Sequence, residues 1–169
     1  MTIKLSKDVE RPQPDHLDGK LLAALWFALL FGFLPLVIIA FKITEITAEV
    51  PLHFDFDGSA NNWGSRSDFL ILLFFLVAIA LGILVFVNYP HLLNTPWEPQ
   101  NLASYQEFYR FGRIFIICMS LYFSMLTCTI ELMILGVIDN KILLALNIFG
   151  VGALVFSMFK LRKIAKTAV

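Results

Sequence analysis

The chain alternates long apolar runs with short polar stretches. Four runs stand out: Leu21–Phe41, Phe69–Val87, Ile114–Val137 and Ile142–Phe159. Each holds about 18 to 24 residues, near the roughly 20 that a helix needs to cross a ~30 Å hydrocarbon layer. Backbone groups in that layer must pair within their own segment, so the runs predict four transmembrane helices. The turn Ile138–Lys141 is short enough to make an antiparallel hairpin of the last two. The expected fold is an all-α membrane protein, a four-transmembrane-helix bundle over residues 21–159. A loose arm with Pro12 and Pro14 precedes it (1–20), and a basic tail follows (160–169).

Finer signals refine this frame. Asp18 is placed to cap the first helix, and Ser67 or Asp68 the second. Gly32 and Pro35 predict a kink between Phe31 and Pro35. In the connection 88–113, Leu102, Tyr105, Phe108 and Tyr109 share one helical face, which predicts a short interfacial amphipathic helix between Gln100 and Gly112. Gly150 and Gly152 allow close helix contact in the last span.

The connection 42–68 has a different pattern. Val50, Leu52, Phe54 and Phe56 alternate with His53, Asp55 and Asp57, as in an extended segment with two unlike faces. Gly58 and the run Asn61-Asn62-Trp63-Gly64 signal turns. This predicts one ordered loop. Phe54, Phe56 and Trp63 pin it against the mouth of the bundle, with Trp63 at the membrane interface, and His53, Asp55 and Asp57 face water or a ligand.

Composition excludes a soluble globular domain: 59% of residues are hydrophobic and 15% charged, too few polar groups to cover a surface. The formal net charge is zero, but the positive residues are unevenly placed. Lys4, Lys7, Arg11 and Lys20 precede the first run, Arg110 and Arg113 lie between the second and third, and Lys160, Arg162, Lys163 and Lys166 follow the fourth. The positive-inside rule then puts both termini and the 88–113 connection in the cytoplasm, and the 42–68 loop outside. The first run is longer than a signal-peptide core, and Lys42 follows it in place of a cleavage site, so it reads as a retained span. The basic tail, close to a membrane end, suits anionic lipid and not nucleic acid. Cys118 and Cys128 lie ~15 Å apart along one helix, beyond reach of a disulfide, and read as packing residues.

Two constellations carry candidate chemistry. His53, Asp55 and Asp57 have the donor types of a divalent-metal site if their segment is extended. A calcium loop is not formed, because its first position is His53 and its twelfth Gly64. The plainer reading is a solvated acidic loop; a third is a ligand or partner site that also uses Asn61 and Arg66. The second constellation is intramembrane. Glu131 has Ser124, Thr127 and Cys128 on its N-terminal side, and Asn147 is placed to clasp it across the helical hairpin. A proton- or ion-handling role is the alternative. Nucleophile-elbow, zinc-protease, Walker and Rossmann patterns are absent, and His53 and His91 fall on opposite sides of the membrane. No cofactor is predicted.

Two stretches resemble signatures of a bacterial membrane family. Val50-Pro51-Leu52-His53-Phe54, then Gly58, Trp63 and Gly64, is similar to the loop of a small domain of unknown function. That domain occurs in the N-terminal part of SdpI-type immunity proteins and in stand-alone four-span proteins. Ala60, Asn61 and Arg66 depart from the family's Pro, Asp and Lys, so a charge pair at position 61 is not carried over. Pro90, Asn94 and Pro96 resemble the family's second signature, a Pro-x-x-x-Asn-x-Pro stretch. The resemblance implies a bacterial cytoplasmic membrane. It implies no reaction, although SdpI-type members protect a cell from a secreted toxic peptide. The expected function is non-enzymatic binding or sensing, immunity-like, with a peptide, lipid or protein partner at the loop. The alternatives are a metal-dependent membrane enzyme acting at His53 and Asp55, and a small transporter or assembly subunit using Glu131.

Overall fold

The computed structural model describes residues 11–55, 59–93, 99 and 102–166. The described chain is mostly helical and holds four helices long and apolar enough to cross a membrane: Gly19–Glu45, Arg66–Val87, Ser104–Ile134 and Leu144–Ile164. It is a multi-pass membrane protein with one small β-hairpin.

The first span is two helices, α1 (Gly19–Gly32) and α2 (Leu34–Lys42), followed by a 3₁₀ turn at Ile43–Glu45. Asp18 caps α1 as expected, accepting from the Leu21 amide at 2.8 Å. The expected kink falls at Phe33. Pro35, with no N–H to give, stands in the first turn of α2, where no intrahelical donor is required.

The ordered loop is a two-stranded hairpin, β1 (Glu49–Phe54) antiparallel to β2 (Ala60–Ser65). It runs directly into α3 (Arg66–Gly82), which ends in a 3₁₀ turn over Ile83–Val87. The cap of α3 is Ser65, and neither Ser67 nor Asp68. Ser65 Oγ accepts from the Asp68 amide, and the Asp68 carboxylate accepts from the Ser65 amide at 2.9 Å. Asp68 sits at the third helical position, where a reciprocal capping box needs its acid.

The amphipathic segment, described from Leu102 on, is not a separate interfacial helix. It is the first third of α4 (Leu102–Ile134), and Tyr105, Phe108 and Tyr109 are buried in a cluster with Ile164 of α5 (Asn140–Lys166). An apolar helical face suits a neighbouring helix as well as a lipid interface, and here α5 is long enough to cover it. α4 is the central helix, packed against α1, α2, α3 and α5. Its Ser120 hydroxyl donates to the Ala80 carbonyl of α3 at 2.6 Å. Such polar links and close packing hold helices together in lipid, where apolar burial between them gains little. Cys118 is exposed and Cys128 buried, both as free thiols.

Residues 11–18 are not loose. Gln106 binds the segment twice, accepting from the Asp15 amide at 2.9 Å and donating to the Gln13 carbonyl at 2.8 Å. Arg113, 6% exposed, donates to the Asp15 carbonyl at 2.7 Å and to the Val87 carbonyl at 3.0 Å. The prolines that suggested a free arm leave backbone carbonyls unpaired, and the α4 side chains take them up.

Candidate functional site

The hairpin is anchored on one face and open on the other. Val50 is fully buried and Ile46 2% exposed, in one cluster with Ile39 of α2 and Phe69 and Leu73 of α3. Leu52 of β1 and Ile130 and Ile134 of α4 pack around that cluster. Removing Ile46 and Val50 of the connection from water contributes about 1.5–3 kcal/mol each, which fixes the hairpin to the bundle. The expected alternation holds for Val50 and Leu52, which turn inward, and for His53 and Asp55, which are exposed; Phe54 is half-buried at the edge of an open cleft.

The register re-aims one side chain. Pro51 faces Trp63 and His53 faces Asn62, so Leu52 is extra on β1; Phe54 then faces Ala60, so Asn61 is extra on β2. Bulges of this kind redirect side chains. Asn61 Nδ2 donates to Asp55 Oδ1 at 2.6 Å, and its Oδ1 lies 2.6 Å from His53 Nδ1. The amide oxygen can only accept, so His53 donates to it from Nδ1. The sequence pointed to His53, Asp55 and Asn61; what it did not show was the bulge that strings them into one chain. The Asp55 amide donates to the Ser59 carbonyl at 2.8 Å and closes the loop. Phe56, Asp57 and Gly58, also assigned to this site, lie outside the described residues.

Trp63 does not pin the loop into the bundle. Its side chain is 58% exposed and walls an open cleft of ≈ 390 Å³ together with Pro51, Phe54, Met133, Ile138 and Asp139. The bundle side of β2 near this point is taken by Gly64, whose missing side chain makes room for Leu52. Arg66 is a tie and not an open ligand contact: its guanidinium donates to the Ile46 carbonyl, and its amide to the Ala48 carbonyl at 3.1 Å.

Among the described residues no three His, Cys, Asp or Glu side chains are grouped as a metal would need. His53 Nδ1 and Asp55 Oδ1 are both engaged with Asn61, which separates the two candidate ligands by an amide.

Glu131 and Asn147 are not clasped. Asn147 Oδ1 accepts from the Tyr122 hydroxyl at 3.3 Å, nine residues, or about 13 Å along the axis, from Glu131. The depth expectation assumed that α4 and α5 leave their turn in equal register, and they do not. Glu131 is 1% exposed, in the last turn of α4, with neither carboxyl oxygen hydrogen-bonded among the described residues. At the other end of the bundle Pro90 is buried in a 3₁₀ turn; Asn94 and Pro96 lie outside the described residues. Arg113 was read from sequence only as a topological charge. Its place immediately before an apolar run was the one signal of its buried role.

Residues 30–79 match the family model of a domain of unknown function, DUF1648. The match runs from α1 through the whole hairpin into α3, and leaves out Glu131, Arg113 and the Pro90 turn. The chain matches no curated protein and no solved structure.

Proposed function

We propose that this protein is a non-enzymatic binding or sensing protein, immunity-like in role, whose hairpin meets a peptide, lipid headgroup or protein partner outside a bacterial cytoplasmic membrane. The observation that carries the reading is the hairpin's two-sidedness. Its base is buried with α2 and α3 through Ile46 and Val50, while the His53–Asn61–Asp55 chain and the Trp63 ring are exposed. Exposed aromatic and polar groups on a rigid seat are what recognition uses, because little ordering entropy is lost on binding. The position of Trp63 beside an open cleft of mixed polarity at a bundle end also suits contact at the membrane interface.

Photo-crosslinking tests it. A photoreactive phenylalanine replaces Trp63 in the full chain in living cells. The reading expects one discrete peptide, protein or headgroup adduct, lost in the His53→Ala and Asn61→Ala backgrounds although the protein stays folded. Adducts to bulk lipid alone, equal in all three backgrounds, would sink it. Orientation has its own test. In a variant lacking Cys118 and Cys128, a cysteine at Ser59 should react with an impermeant thiol reagent on intact cells, and one at Ser104 should not. The reverse result would place the hairpin in the cytoplasm and end the immunity-like reading.

A further inference from the structure

A line of oxygen atoms runs through the middle of the bundle, and its hydroxyls have no proton left to donate. Ser120, Ser124, Thr127 and Glu131 recur at i, i+4, i+7 and i+11, so they share one face of α4. All four are at most 1% exposed. A hydroxyl has one proton to give and two lone pairs. Here each proton is committed: Ser120 to the Ala80 carbonyl at 2.6 Å, Ser124 to the Ser120 carbonyl at 2.9 Å, and Thr127 to the Phe123 carbonyl at 2.8 Å. What remains toward the bundle is lone pairs. The line ends at Glu131, whose two oxygens have no hydrogen-bond partner among the described residues.

Among the described residues the neighbouring elements bring no positive charge to this carboxyl. At its level α2 contributes Leu36 and Ile39, α3 contributes Phe69, Leu70 and Leu73, and the hairpin contributes Ile46 and Val50. Of the basic groups at this end, Lys42 pairs with Glu45 at 2.6 Å, Arg66 is tied to the Ile46 carbonyl, and Lys141 is exposed at the start of α5. The titratable neighbour on α4 itself is the buried Cys128 thiol, which supplies no cation. Glu131 also occupies the last turn of α4, the negative end of the helix dipole. A carboxylate buried there with no partner is an expensive arrangement, and intramembrane acids are commonly completed by a positive ion.

We propose that Glu131 and the oxygen of Thr127, one turn before it, form an intramembrane site for a small monovalent cation, a proton or a sodium-sized ion, with Ser124, about 10 Å away along the axis, lining the approach. Oxygen-only ligation is the chemistry such ions take inside membranes. The placement suggests how the site is reached. Ser124 faces the break between α1 and α2, its Oγ 3.6 Å from where a Gly32 Cβ would stand. Ile130 and Ile134, on either side of Glu131, pack against the hairpin base. An ion at Glu131 therefore lies between a helix break and a hairpin seat, two features that can shift together. The site is independent of the hairpin's recognition role.

Infrared difference spectroscopy on the purified full chain reads the carboxyl directly. The wild type in choline buffer at acid pH should show a protonated-carboxyl band absent from Glu131→Gln, and the band should vanish as pH rises. A vanishing midpoint that ignores sodium, lithium and potassium names the proton as the occupant; one that falls as sodium rises names a metal ion as its competitor. Either supports the site. Thr127→Val removes one ligand oxygen and should move the midpoint by about one pH unit. If Glu131→Gln fails to fold, Glu131→Asp assigns the band by its altered frequency. No Glu131 band at any pH, a band unmoved by pH and ions alike, or a midpoint unchanged in Thr127→Val would each overturn the proposal.

Discussion

Leu52 occupies the space that a side chain on Gly64 would need. A Cβ built at position 64 falls 2.3 Å from Leu52 Cδ1, 3.0 Å from its Cγ and 3.2 Å from an Asp68 carboxylate oxygen. The contact ties β1 to β2 and also sits against the capping box that starts α3. Gly64→Ala should therefore overpack the seat of the hairpin and cost about 1–3 kcal/mol. Thermal unfolding in detergent checks the size, and limited proteolysis near Asp55–Ser59 checks the place. A fully wild-type melting curve would mean that Leu52 moves aside freely and does not lock the hairpin.

The α4–α5 contact offers an internal control. A Cβ at Gly150 would stand 2.4 Å from the Tyr122 ring, whereas one at Gly152 would meet nothing within 4 Å. Gly150→Ala should push the ring away, break its bond to Asn147 and lower stability by roughly 1–3 kcal/mol. Gly152→Ala should be neutral or slightly stabilising, because alanine is the better helix former. Equal melting temperatures for the two variants would contradict the close approach at Tyr122.

The reach of Arg113 decides whether residues 11–18 stay on the bundle. Its two bonds to backbone carbonyls are charge-assisted, and Arg113→Met should lose about 2–4 kcal/mol of local stability while keeping much of the side-chain volume. The expected signature is faster proteolysis and faster amide exchange in residues 11–18, with the hairpin end unchanged. Unaltered protection of that segment would show that Gln106, together with Arg11, whose guanidinium donates to the His91 carbonyl at 2.7 Å, holds it without Arg113.

The spans, the Pro35 kink and the Asp18 cap were legible because each rests on local rules: length, a missing N–H, an oxygen at the right offset. The inward pair Val50 and Leu52 was legible for the same reason. What failed depended on a neighbour. Tyr105, Phe108 and Tyr109 pattern alike whether lipid or Ile164 covers them. Trp63 pairs with Pro51 of the alternating strand, yet Leu52 fills the inward space beside Gly64 and the ring stays outside. Counting from the turn placed Asn147 beside Glu131, but helical offset set it by Tyr122. The Asn61 bulge needs two strands in register, which no single strand's pattern contains.

Asp18 gives a pH test at the opposite end from the candidate site. The backbone amide of Leu21, 2.8 Å away, holds its carboxyl below the usual carboxylate range; desolvation opposes this, and the charge of Arg110, 3.4 Å away, adds to the lowering. A carboxyl whose folded value lies below its unfolded value stabilises the fold above the ordinary range and loses that contribution as pH falls through the folded value. Asp18→Asn keeps an oxygen for the cap and removes the titration. At neutral pH the variant should melt slightly below the wild type, because it lacks the Arg110 attraction and the charge at the positive end of α1. As pH drops below about 4, the gap should close, since the wild type loses its carboxylate and the variant has none to lose. Melting curves of the two proteins across this range are the measurement. A gap that stays constant into acid would mean that the charge of Asp18 contributes nothing beyond the capping oxygen.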